Sequence, residues 1–206
     1  MLLTTEVRWF QAGKLPRSLT DWFASEHLGA VPIAQERRTD CYLRLLHDTF
    51  LGVKFRQGSL EVKWRQAVLG QARAGDRWAG QLERWIKWSH TDAASLDHPQ
   101  LQAYLQSESW IEVTKARSQR IYQVENNQVS PTEPQKRVSQ ACSLELTQLE
   151  AAHQAWWTVG LEASGSSQQS LAALQLTLSW LSASTQNLPQ LELSASYAYP
   201  HWLARL

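Results

Sequence analysis

Cysteine is scarce. Only Cys41 and Cys142 occur in 206 residues. Both fall in strand-like segments without metal-ligand spacing, which points to packed, reduced thiols in a cytoplasmic protein. No apolar run approaches the length of a membrane span. Met1–Glu6 has neither a basic region nor a long apolar core, so no signal peptide is expected. The formal net charge is only +1, which removes any global nucleic-acid or membrane signal. An electrostatic function would have to come from local sorting of charge. Internal repeats, low-complexity tracts and long linkers are missing, so one domain is expected across residues 1–206. There is no nucleophile elbow, P-loop or dinucleotide fingerprint, and the six His show no ligand spacing. Ser164-Gly165-Ser166-Ser167 fits a turn into a helix N-cap better than a phosphate cradle.

What the chain does hold is sorted charge. Hydrophobic residues make up 43%, enough for a real core, and eleven Trp supply packing between layers. Read in steps of two, Glu6 and Arg8 alternate with Val7 and Trp9. Lys54 and Arg56 alternate with Val53 and Phe55, and Glu61, Lys63 and Arg65 with Leu60, Val62 and Trp64. Side chains on a strand alternate between faces, so each segment predicts a strand with one charged and one apolar face. If such strands close into a barrel with the apolar face outward under helices, the charges line a tunnel.

The rest of the chain is read the same way. Strands are expected at 3–11, 33–46, 52–56, 60–65, 109–124, 137–149 and 155–163. Gln57-Gly58-Ser59 makes a hairpin turn between the third and fourth. Pro16 opens a short helix to about Glu26, and Leu171, Leu174, Leu178 and Leu181 define another across 167–183. Trp78, Leu82, Trp85, Ile86 and Trp88 predict a third helix over 76–89, taken as a cover for the barrel. A short helix is expected at 99–106 and an exposed turn or loop at 126–136. The tail from 190 is expected to pack back on the body. The expected outer face comprises Val7, Trp9, Val53, Phe55, Val62, Trp64, Leu144, Leu146, Val159 and Leu161.

The charged phase carries nine basic residues: Arg8, Arg38, Lys54, Arg56, Lys63, Arg65, Lys115, Arg117 and Arg137. It carries five acids: Glu6, Asp40, Glu61, Glu145 and Glu162. Glu36 and Arg44, which cancel, are left aside. The excess of four exceeds the whole-chain charge of +1, so positive charge is concentrated on this face. Guanidinium and ammonium groups hold phosphate oxygens, and interspersed carboxylates suit Mg2+ or Mn2+ bound with a polyanion. Asp40 fits best as a partner that orients an Arg, and Tyr42 as a packing or hydrogen-bonding residue.

Laid in order, these segments resemble the CYTH superfamily, the triphosphate tunnel metalloenzymes. That family opens on Glu-x-Glu-x-Lys, where this chain has Thr4-Thr5-Glu6-Val7-Arg8. Thr39-Asp40-Cys41-Tyr42-Leu43, Gly52-Val53-Lys54-Phe55-Arg56 and Leu60-Glu61-Val62-Lys63-Trp64-Arg65 follow. Val113-Thr114-Lys115-Ala116-Arg117, Ser143-Leu144-Glu145-Leu146-Thr147 and Gly160-Leu161-Glu162-Ala163 complete the series. The resemblance spans residues 4–163. It implies an α+β fold: a closed eight-stranded antiparallel barrel with helices outside. It also implies a tunnel for a triphosphate-containing small molecule or inorganic polyphosphate, and possible metal-dependent hydrolysis. Carried over by position, Glu6, Glu145 and Glu162 would be the catalytic and metal-binding carboxylates. Arg8, Arg38, Lys54, Arg56, Lys63, Arg65, Lys115 and Arg117 would bind phosphate. The chain departs from the pattern at Thr4, which replaces a carboxylate, and at Arg8, which replaces a Lys. Weaker metal binding and slow or absent turnover are expected, with anion binding retained. Two other readings fit the same pattern: a non-catalytic polyanion or nucleotide-binding module, and a structural or interaction protein whose charges pair internally.

Overall fold

In a computed structural model the chain forms an antiparallel barrel, described here for residues 1–29, 33–91, 103–133, 140–185 and 187–206. The strands are β1 (Leu2–Ala12), β2 (Ile33–Leu43), β3 (Leu51–Arg56), β4 (Ser59–Ala74) and β5 (Trp78–His90). They continue with β6 (Trp110–Glu125), β7 (Gln128–Thr132), β8 (Ala141–Ala151) and β9 (Gln154–Ser164). The order β2-β3-β4-β5-β1-β9-β8-β6 returns to β2 through a β2–β6 pairing, which closes eight strands. Closure leaves no free edge within the barrel. β7 lies outside and pairs with the far end of β6. There Pro131 removes a donor that an edge strand can spare.

Among the described residues, helices α1 (Arg17–Ala24), α2 (Ser167–Ser182) and α3 (Tyr199–Leu203) pack on the barrel. Ser166 caps α2 with a capping box to Gln169, as the Ser-rich turn predicts. Val7, Trp9, Leu144, Leu146, Val159 and Leu161 project outward from the barrel. They form one core with Leu19, Trp22 and Phe23 of α1 and Leu174, Leu178 and Leu181 of α2. Each such side chain contributes roughly 1.5–3 kcal/mol on burial. A second core lies at one end of the barrel interior. There Phe10, Tyr42, Val113 and Leu149 meet Tyr197, Trp202 and Leu203 from the C-terminal segment. Phe10 stacks on Trp202 at 5.1 Å and on Tyr197 at 5.5 Å.

The expected helix over 76–89 is instead strand β5. Its Trp78, Gly80 and Leu82 face outward, while Glu83, Trp85 and Lys87 follow the inward phase. Aromatics on both faces imitate a helical stripe when counted in threes and fours, and aromatics favour strands. α1 and α2, not residues 76–89, cover the barrel. α2 packs across β1, β9 and β8 and reaches parts of β4 and β6, whereas Val53, Phe55, Val62 and Trp64 on β3 and β4 stay half-exposed, and Trp88 on β5 is exposed. Residues 126–136 are not wholly loop. Asn126 and Asn127, with φ of 51° and 60°, make a tight turn into β7. Arg137 lies outside the described residues, as do residues 99–102 of the short helix expected at 99–106, whose residues 103–105 are helical.

Candidate functional site

The charged phase points inward. Glu6, Arg8, Arg38, Lys54, Arg56, Glu61, Lys63, Lys115, Arg117, Glu145 and Glu162 all line one cavity of about 220 Å3 inside the barrel. Lys87 joins them, so the lining holds eight basic and four acidic side chains. Ala198, Tyr199, Pro200 and Leu203 form its floor. The volume is below the roughly 300–1,000 Å3 of drug-sized ligand sites, which suits a compact ion.

Exposure grades the cavity from mouth to floor. Arg56 and Lys63 are 27% exposed, Glu162 29% and Lys87 32%, whereas Arg8 is 5%, Lys115 4% and Asp40 0% exposed. At the floor the Lys115 ammonium donates to the Tyr42 hydroxyl, pairs with Asp40 at 3.1 Å and lies 4.1 Å from the centre of the Tyr199 ring. Gly52 leaves room here: a Cβ added to it would lie 3.2 Å from Pro200 Cγ.

Along one wall runs a ladder of alternating charge. Arg8 donates to Glu145 at 2.6 Å and Arg117 to the other oxygen of Glu145 at 3.1 Å. Arg117 also donates to Glu36 at 2.8 Å, and Arg38 bridges Glu36 and Asp40. Gly160 is required for this ladder. It pairs with both Arg8 and Glu145, and a Cβ on it would meet the Arg8 guanidinium carbon at 2.6 Å. Burial alone would raise the Glu145 pKa, but Arg8 and Arg117 outweigh it and bring it down to about 2.

The opposite wall is unbalanced. Among the described residues Glu61 is the one ion-pair partner of Lys54 at 2.9 Å, Lys87 at 3.0 Å and Arg56 at 3.3 Å. Lys54 and Lys87 hold its pKa down at about 2 against the effect of burial. Burial in turn lowers Lys54 and Lys115 to about 8, with each ammonium also repelled by neighbouring cations.

Between the walls, Glu6 and Glu162 face each other in register across β1 and β9. The Lys63 ammonium lies 2.6 Å from Glu6 and 3.6 Å from Glu162. Burial and the Glu162 charge raise the Glu6 pKa despite Lys63, while both carboxylates raise that of Lys63 against its burial.

These contacts bear on the Mg2+ or Mn2+ that the family resemblance implies. Both oxygens of Glu145 are committed to arginines, and Glu6 is committed to Lys63. Thr4 is buried and its hydroxyl has no hydrogen-bond partner among the described residues, so the opening strand adds no second carboxylate. Among the described residues no group of three or more His, Cys, Asp and Glu could hold a metal ion. As they stand, the carboxylates do not make a metal centre for a hard cation that takes six or more oxygens.

Arg65 keeps the inward phase but does not line the cavity. It pairs with Glu83 at 2.7 Å, and Glu83 also accepts from the Trp85 indole. Lys87 and Glu83 belong to the charged set but were hidden by the helical reading of 76–89. The alternation Glu83-x-Trp85-x-Lys87 was their signal. Tyr199 was hidden too, since its place in the barrel depends on the return of the tail. No protein-family model matches the chain, and no curated protein matches it.

Proposed function

We propose that the tunnel binds a compact phosphorylated polyanion: a triphosphate-containing small molecule or a short inorganic polyphosphate. One observation carries this reading. Among the described residues, Lys54, Arg56 and Lys87 form ion pairs with the single carboxylate of Glu61 at the cavity wall, three cations on one acid. Phosphate oxygens would supply the missing negative charge through charge-assisted hydrogen bonds. The eight-to-four lining and the small volume support the same conclusion, as does the resemblance over residues 4–163. Hydrolysis is secondary in this reading, because Glu145 is held by two arginines and Thr4 offers no charge.

The ladder Arg8–Glu145–Arg117–Glu36–Arg38 favours a second reading, a barrel whose charges serve only its own architecture. Thermal denaturation with inorganic triphosphate separates the two. At a hundredfold excess over the dissociation constant, binding to the folded state adds about 2.7 kcal/mol. For a chain of this size that raises Tm by roughly 5–10 °C. Equal concentrations of sulfate should do much less. No shift with any polyanion would leave the structural reading, and phosphate release alongside a shift would add turnover to binding.

A further inference from the structure

The carboxylate pair Glu6–Glu162 poses a problem for a site that takes a polyanion. Two negative charges in register at the cavity wall repel phosphate unless a cation lies between them. This chain already has one. Lys63 reaches from β4, with its ammonium 2.6 Å from Glu6 Oε2 and 3.6 Å from Glu162 Oε2. The same ammonium lies 5.2 Å from the centre of the Trp85 ring, which adds cation–π attraction. We propose that Lys63 is a built-in cation standing where a divalent ion would bridge the two carboxylates, so that the tunnel takes the free polyphosphate anion and not its Mg2+ chelate.

An ammonium has three N–H donors. Glu6 and Glu162 face two of them, and the third is available to a phosphate oxygen. Lys63 is 27% exposed, so that oxygen can reach it from the mouth. Glu145 is not available to help bind a metal, because Arg8 and Arg117 occupy both its oxygens. The cost of this design is one unit of charge compared with a divalent ion. Lys54, Arg56 and Lys87 on the neighbouring wall make up for it.

The inference rests on the anion-binding reading, and its test separates the two. Calorimetric titration with inorganic triphosphate is run in EDTA and in excess Mg2+. Binding in EDTA should be at least as tight, because Mg2+ withdraws the free anion into its chelate. Affinity higher by about tenfold or more in Mg2+ would overturn the proposal and leave anion binding intact. No binding in either medium would overturn the proposed function instead.

A second arm uses Mn2+ alone, followed by electron paramagnetic resonance. Wild type should leave the free Mn2+ signal unchanged. Lys63→Met removes the charge but keeps the length, so Glu6 and Glu162 should then take up Mn2+ and reduce that signal. Stoichiometric Mn2+ uptake by wild type would sink the assignment, as would equal uptake by both proteins. Should Lys63→Met fail to fold, Lys63→Gln serves the same arm.

Discussion

The floor and the mouth of the tunnel use the same residue types to opposite ends. At the floor, Arg8, Arg38 and Lys115 are almost wholly buried, and each has a carboxylate partner: Glu145, Glu36 or Asp40. Tyr42 and Tyr199 offer ring faces besides: Lys115 sits 4.7 Å and 4.1 Å from their centres, and Arg8 5.3 Å from that of Tyr199. At the mouth, three cations crowd one carboxylate. Water accounts for the difference. A desolvated charge without a partner costs several kcal/mol, so the floor must be balanced. Solvent screens Arg56 and Lys87, 27% and 32% exposed, so an excess of charge can persist at the mouth.

Mutations that attack the floor should therefore unfold the protein, and those at the mouth should weaken binding. The largest effect is expected from Trp202→Ala. This fully buried ring closes the apolar end against Phe10 and Trp156. Its loss should cost about 3–5 kcal/mol in denaturant unfolding. A cost under about 1 kcal/mol would mean that the C-terminal segment does not seal the barrel.

Glu145→Ala comes next, at about 3 kcal/mol, because it strands the buried Arg8 and leaves Arg117 with Glu36 alone. The same pair gives acid sensitivity. Glu145 and Glu61 have folded pKa values of about 2, depressed from 4.5. Their stabilisation is present above pH 4.5 and is lost as pH falls from there toward 2. Acid titration of Glu145→Ala should show a shallower slope in that window than wild type. An unchanged slope would remove the ladder as a source of stability.

The smallest effect on folding belongs to Arg56→Ala at the mouth, expected within about 1 kcal/mol. Triphosphate affinity should nonetheless fall by roughly tenfold or more, the loss of one charge-assisted contact. Raising the pH should separate the two properties further. Lys54 and Lys115 titrate at about 8 in the folded chain against 10.5 ordinarily. The unfolded chain binds more protons between those values, so stability from these groups rises there while anion binding weakens. Affinity that holds constant from pH 7 to 10 would exclude both lysines from the site.

Much of this contrast was legible in the chain. Steps of two at Glu6 and Arg8, at Lys54 and Arg56 and at Glu61 and Lys63 named an inward face, because the period of a strand is a local property. The Pro16 start of α1 and the Ser166 cap of α2 are local as well. Residues 76–89 misled because Trp78 and Leu82 serve the outer core while Trp85 serves the tunnel. Only pairing with β1 and β4 makes that segment a strand.

Sequence alone determined which side chains share a face, since alternation requires no knowledge of neighbours. Tertiary structure alone decided who meets whom on that face. Glu145 and its partners Arg8 and Arg117 are separated by 137 and 28 residues. Lys63 comes between Glu6 and Glu162 only because barrel closure brings β4, β1 and β9 around one cavity. The floor is likewise a tertiary product, because Tyr199 and Trp202 reach Phe10 and Tyr42 only after the chain returns to the barrel. Charge balance depends on distance and desolvation, and neither exists before the strands close.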